Sequence, residues 1–314
     1  MFQLFGPAKY FATDTHVIAL PEPGVPHLAT VKDRTRNSGL TSVRFVDKNH
    51  CIAADFGNKR CYLIDLRRSD NPIVDQHGTV ISDGTPVETD LLDYHEGHFI
   101  VSNFYQGTFS LFRIENERII FEREIAAGHT SNLHGLRFVP GNENLVWLTF
   151  CNRKEPCHKV IDLSTGKILH EIRTEQQCQD VAFARGFAVV FARTDHISKG
   201  EVILEPQSRK NTIFATAYIY RMPANLTNDP PELVHVWKGE GHLDACKEAP
   251  DGRIFSANQY LDRIDIFKLN GKGRLSLTGY IEGFSMPHGL DILGDHLAVT
   301  NYGDQTLRIM DLPH

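Results

Sequence analysis

The tripeptide His-Gly-Leu occurs twice, at His134–Leu136 and His288–Leu290, and two carboxylates, Asp90 and Asp244, recur in similar surroundings. Imidazole titrates near neutral pH and is the commonest side-chain metal ligand, so this pairing points to a metal centre or to proton transfer. Imidazole with carboxylate suits zinc, iron, manganese or nickel; calcium, which prefers all-oxygen sites, fits less well. His134 and His288 are the expected ligands, with His242 as a third. Asp244, Glu88 and Asp90 are the candidates for a further ligand or for the acid and base. An open position on such an ion takes water or substrate.

Residues this far apart in sequence meet only if the fold gathers them, and a repeat of roughly 45 residues does so. Its anchors are Thr41, Asp90, His134, Gln179, Asp244 and His288, spaced 49, 44, 45, 65 and 44 residues apart. After each anchor come a short strand, a second strand ending in a small or polar residue, a turn and a third strand of alternating apolar residues. Outer strands follow in segments such as IIFEREIA, KILHEIRT, ELVHVWK and SLTGYIE. A four-stranded sheet cannot bury both faces alone, so a period of this kind predicts stacked blades around an axis. The expected fold is all-β: a six-bladed β-propeller of four-stranded antiparallel blades, closed by an N-terminal strand that completes the C-terminal blade. Pro26–Asp33 has the character of that strand. Residues 1–25 then form an extension, and residues 26–314 a single propeller.

Innermost strands line the channel, so the six anchors are expected as a ring at its mouth. Asp55, Asn103, Asn258 and Asn301, at the ends of second strands, should form a wider ring on the same face. With Thr41 and Gln179 they are the candidate substrate-binding residues. The histidines belong to blades three and six and face each other; with Cα atoms roughly 14–16 Å apart, both imidazoles reach one central ion. The alternative for a strand-entrance histidine is a hydrogen bond to the neighbouring blade, satisfying an otherwise unpaired group. For the asparagines the alternative is turn formation.

The 65-residue interval marks an insertion at 194–211 between the second and third strands of blade four. Its mix of charge, Gly200 and Val202-Ile203-Leu204 reads as a lid over the mouth, or as a surface hairpin. Cys51 with Cys61, and Cys151 with Cys157, flank hairpin turns; free buried thiols are favoured over cross-strand disulfides. Cys157-His158 has no second ligand pair at zinc-site spacing.

The composition is ordinary for a globular chain, with 41% hydrophobic and 23% charged residues and a net charge of −6. It offers no basic patch for nucleic acid, and no apolar stretch long enough to span a bilayer. The first residues lack a signal-peptide pattern, which favours the cytoplasm; a mature secreted chain fits the same observation.

The (P/L)HGL strand openings, the VSN, SAN and VTN strand ends and the apolar third strands resemble the six-bladed propellers that include NHL-repeat proteins, gluconolactonase-like hydrolases and strictosidine-synthase-like proteins. The resemblance covers the chain from about Pro26 at the level of architecture. It departs from the gluconolactonase-like pattern in the first blade, where Thr41 replaces an early acidic residue, and at Pro250–Gly252, which falls in a turn. It implies a small-molecule enzyme of lactonase or lyase type; a ligand-binding protein and a protein-interaction scaffold use the same architecture.

Overall fold

A computed structural model of the chain describes residues 7–19, 39–128, 132–152, 154–195 and 213–313. Its strands form six sheets, one per repeat. Their innermost strands are Leu40–Phe45, Thr89–His95, Leu133–Val139, Gln177–Ala184, Leu243–Glu248 and Pro287–Leu293. Each packs against the next, and the sixth against the first, closing a ring. The inner strands of blades one and three are buried along their whole length, whereas an outer strand such as Glu232–Glu240 keeps only partial burial. No helix among the described residues is long and apolar enough to cross a membrane.

The ring closes through the N-terminus, as expected, but with a different segment. Asp14–Ala19 pairs antiparallel with Thr306–Asp311 as the outer strand of blade six. Pro26–Asp33 lies outside the described residues. Period-two alternation suits Asp14–Ala19 to an outer strand: Ile18 is buried between blades six and one while Val17 stays 57% exposed. Ala8–Phe11 adds a fifth strand to blade five, parallel to Leu275–Glu282. Much of the stretch read as a mere extension therefore belongs to the sheets. Residues 196–212, which hold most of the insertion, lie outside the described residues.

Six apolar clusters fill the six seams between blades, so the core is a set of wedges. All six cysteines are free buried thiols, in line with the favoured reading. Strand alternation separates Cys157 from His158, which is sandwiched between Trp147 and Tyr220.

Beneath the mouth, charged side chains close the axis. Arg44, Asp93, Arg137, Asp180, Lys247 and Asp291, one from each blade, alternate in sign and are buried except for Lys247, whose side chain is 33% exposed. Arg44 Nε lies 2.9 Å from Asp93 Oδ1, Arg137 pairs with Asp180, and Lys247 Nζ stands 3.2 Å from Asp291. Each carboxylate also accepts a backbone N–H from the following blade: Phe138 to Asp93 at 3.0 Å, Cys246 to Asp180 at 2.9 Å and Phe45 to Asp291 at 2.8 Å. Buried charges are tolerated only when paired and hydrogen-bonded in this way.

Candidate metal centre

All six anchors are buried at the second or third position of their inner strands. The register of each inner strand against its neighbour breaks at this point, for example between Leu133 and Gly135 and between Leu40 and Ser42. The same irregularity recurs in the other four blades. A bulge inserts extra residue length on one strand and re-aims a side chain. Here it turns one residue per blade toward the axis.

Around the ring the anchors read Thr, Asp, His, Gln, Asp, His, so blades one to three and four to six are related by a pseudo-twofold. The two His-Gly-Leu segments obey it in detail. His134 Nδ1 donates to Gln179 O at 2.9 Å and His288 Nδ1 donates to Thr41 O at 2.8 Å, in each case on the next blade. The glycine makes that approach feasible. A Cβ on Gly135 would lie 2.4 Å from Gln179 O, and one on Gly289 would lie 2.5 Å from Thr41 O. The glycine N–H groups donate to Thr149 Oγ1 at 3.0 Å and Thr300 Oγ1 at 2.8 Å.

A carbonyl only accepts, so both Nδ1 atoms carry hydrogen and both Nε2 atoms face the axis. His134 Nε2 lies 3.4 Å from Asp90 and 3.3 Å from Asp244; His288 Nε2 lies 3.6 and 3.5 Å from the same two carboxylates. Asp90 Oδ1 and both oxygens of Asp244 have no hydrogen-bond partner among the described residues. Imidazole Nε2 atoms thus face carboxylate oxygens in a buried site, an arrangement that a shared proton or a shared metal cation satisfies. Asp90, His134 and His288 each offer a ligand atom within 4.8 Å of the others and could hold a metal ion. Each carboxylate meets the two imidazoles through different oxygens, Asp90 through Oδ2 and Oδ1 and Asp244 through Oδ1 and Oδ2, at 3.3–3.6 Å.

The titration of the groups reflects their confinement. Burial pushes the Asp90 carboxyl up to about 7, with the charge of His288 opposing, and Asp244 up to about 6. Burial holds the His134 imidazole well below its usual range, and the charge of His288 adds to the effect. Burial also works against charged His288, but the facing Asp244 and Asp90 outweigh it and raise its pKa.

The other expected residues take different places. His242 stands one layer out, its Nε2 donating toward Gln179 Oε1 at 3.3 Å and facing Asp244 Oδ2 at 3.4 Å. Gln179 thereby contacts the site through His242. Glu88, at the position that matches His242, is drawn aside to pair with Lys59 at 2.9 Å. Thr41 spends its hydroxyl on Asp90 O at 2.7 Å, a clasp between blades one and two. The expected wider ring of Asp55, Asn103, Asn258 and Asn301 does not line the mouth. Asp55 accepts from Asn58, Asn103 donates to Thr108 and Ser110, Asn258 donates to Asp265, and Asn301 donates to Thr306, each fixing the hairpin of its own blade.

Sequence reasoning missed Arg193. Its Nη1 lies 3.1 Å from both ring nitrogens of His242, and its charge acts on Asp90, His134, Asp244 and His288. It follows Ala192, which pairs with Cys178 as Asp55 pairs with Leu40, but lies within the strand Phe187–Asp195, and no other blade carries a charge at that repeat position. Phe104 and Tyr302, at the corresponding places, set their rings 6.1 Å from His134 and 5.6 Å from His288.

No protein-family model and no curated protein matches the sequence. Solved structures do resemble the chain in three dimensions. Hydrazine synthase of Kuenenia stuttgartiensis aligns over 92% of this chain and 98% of its own at 10% identity, with a TM-score of 0.60. The β-propeller domain of Myceliophteria thermophila Cps50 (Swd1) aligns over 87% and 84% at 12% identity, TM-score 0.57. The WD40 propeller domain of Doa1 aligns over 88% and 94% at 13% identity, TM-score 0.56. At these identities the likeness shows the propeller fold alone; it covers one enzyme and WD40 propellers alike and does not reach the subgroup that the strand motifs resemble.

Proposed function

We propose that the axis holds one divalent cation, bound by His134, His288, Asp90 and Asp244, and that the protein is an enzyme carrying out metal-assisted hydrolysis or elimination on a small organic molecule in the channel mouth. One observation carries this reading: four electron-pair donors from four blades converge in a buried site, with both imidazole tautomers fixed by backbone carbonyls. A bound cation of this kind supplies Lewis acidity and an ionised water near neutral pH. Among the residues, His242 is placed to take or return a proton, since it joins Asp244 to Arg193 without belonging to the four. The ionic layer beneath leaves the upper mouth as the route of approach.

The test is elemental analysis of the purified protein after incubation with zinc, iron, manganese and nickel, alongside the His134→Ala/His288→Ala variant. About one equivalent bound by the wild type and less than a tenth by the variant is the expected result. A wild type that takes up none of the four metals, and melts identically with and without chelator, would remove the centre. Screening the loaded protein against lactones and esters then tests turnover.

A further inference from the structure

The residue just before the end of each second strand sorts the blades into two classes. In blades two, three and six it carries a hydroxyl: Ser102, Thr149 and Thr300. Each hydroxyl accepts from the backbone beside its anchor, Ser102 Oγ from Asp90 N at 3.2 Å and Leu91 N at 3.1 Å, Thr149 Oγ1 from Gly135 N at 3.0 Å and Thr300 Oγ1 from Gly289 N at 2.8 Å. In blades one, four and five the same position holds Ala54, Phe191 and Ala257. The three fastened bulges carry Asp90, His134 and His288, the set whose ligand atoms lie within 4.8 Å of one another. Asp244, on blade five, lacks the fastening; Ser256, one position earlier in its second strand, donates to Ala245 O at 3.2 Å instead.

The two aspartates differ in their surroundings as well. Thr41 Oγ1 donates to Asp90 O at 2.7 Å and Leu92 N donates to Ser42 Oγ at 3.1 Å, so blade one holds the backbone around Asp90 from the other side. Among the described residues the Asp90 carboxylate makes ion-pair contacts only with the two imidazoles of the ring. Asp244 has a third imidazole, His242, whose Nε2 stands 3.4 Å from Asp244 Oδ2 and 3.3 Å from Gln179 Oε1. A buried carboxylate that leaves an ion needs another donor. Asp244 has one beside it in the His242 N–H, and Asp90 does not.

We infer that the two aspartates divide the roles at the centre. Resting on the centre proposed above, Asp90, His134 and His288 are its permanent ligands and Asp244 is an exchangeable fourth. A substrate enters by offering the ion an oxygen donor; the Asp244 carboxylate gives up its bond, is received by His242, and returns when product leaves. The substrate class is accordingly one that carries a carbonyl or hydroxyl oxygen able to bind the ion. Outer hydrogen bonds orient ligands and set their affinity for the metal, and a catalytic ion needs a position that water or substrate can occupy. The hydroxyl bonds supply the first to three blades, and the bare fourth supplies the second.

The test measures zinc affinity by chelator competition and titrates acetohydroxamate, an oxygen-donor ligand of zinc, calorimetrically into the zinc-loaded protein. Asp90→Ala should lower zinc affinity about 100-fold or more, and Asp244→Ala less than about ten-fold. Acetohydroxamate displaces Asp244 in the wild type, so it should bind Asp244→Ala about ten-fold more tightly. Ser102→Ala should lower zinc affinity about ten-fold, with Ser102→Thr restoring it, whereas Ser256→Ala should leave it unchanged. Equal loss of zinc in the two aspartate variants, or an acetohydroxamate affinity that Asp244→Ala does not alter, overturns the division of roles and leaves the centre standing. Should circular dichroism show the aspartate variants unfolded, the serine pair decides: equal zinc affinities in Ser102→Ala and Ser256→Ala overturn it too. A wild type that takes up no metal overturns both readings.

Discussion

The close approach at Gly135 makes the coupling between seam and centre measurable. In Gly135→Ala the new methyl would lie 2.4 Å from Gln179 O, 2.5 Å from Thr149 Oγ1 and 2.9 Å from Asp180 Cα. Two of these are backbone atoms of blade four, which must retreat by about 0.6 Å before the contact is tolerable. Gln179 O accepts both from His134 Nδ1 at 2.9 Å and from Thr149 Oγ1 at 2.6 Å. The retreat takes the first bond to about 3.5 Å, where most of its strength is gone. Overpacking costs about 1–3 kcal/mol and the weakened bonds about 1 kcal/mol each, so a loss of about 3–5 kcal/mol is expected, a large part of a domain's stability. Metal affinity should fall about 10- to 100-fold, since the carbonyl that orients the ligand has moved. Gly289→Ala, with its methyl 2.5 Å from Thr41 O and Ser42 Cα, should behave alike. Gly271→Ala, which meets nothing within 4 Å, is the control and should be neutral or slightly stabilising. Urea unfolding and chelator competition measure the two effects. A Gly135→Ala protein with wild-type midpoint and wild-type metal affinity would refute the reasoning.

Two further outcomes concern pH. Burial lowers His158 to about 3; its neutral form is the folded form, so stability is complete above the unfolded value near 6.5 and falls as pH drops from there toward 3. At pH 4.5 this amounts to roughly 2–3 kcal/mol, which His158→Phe should recover in urea unfolding followed against pH; an unchanged acid limb would count against it. Asp65 is held far below the ordinary carboxylate range, chiefly by hydrogen bonds from Arg67. Its contribution is present above the unfolded value near 4 and is lost as pH falls through the lower folded value, so the unfolding midpoints of wild type and Asp65→Asn should differ at pH 7 and converge toward pH 2.

The blade plan was legible because period-two alternation and a recurring anchor are local properties, and local properties survive in a single sequence. His134, His288, Asp90 and Asp244 were legible together for the same reason: each stands at one repeat position, and a closed ring converts repeat position into angle around the axis. What failed depended on side-chain direction. Asn103, Asn258 and Asn301 also share a repeat position, but a short amide beside a turn is captured by the turn's own donors and acceptors before it can face the channel. Glu88 and His242 occupy matching positions, yet Lys59 draws the first aside while Gln179 and Asp244 retain the second. Arg193 was invisible because its repeat position is held by Phe, Cys, Gln or Tyr in the other blades. The closing strand was misplaced because Asp14–Ala19 and Pro26–Asp33 both alternate, and only pairing with Thr306–Asp311 distinguishes them.

The seam clasp of a strand-entrance histidine and its proposed role as a metal ligand are compatible in one arrangement. Each imidazole has two nitrogens; the Nδ1–H bond to the next blade fastens the seam and by the same act fixes the tautomer and the direction of Nε2. The bulge supplies the side chain's aim, the glycine supplies the room, and the threonine on the second strand holds the bulge's own N–H. The ionic layer works in the same manner one step lower, where Asp93, Asp180 and Asp291 clasp three seams through backbone N–H groups, the seam between blades six and one being fastened in both layers. Each of those carboxylates has an arginine or lysine beside it and accepts one backbone N–H. Asp90 and Asp244, in the layer above, have two imidazoles at 3.3–3.6 Å in place of an arginine or lysine in direct contact, and that contrast between two carboxylate sets in one channel is why the proposed centre is set at the upper mouth.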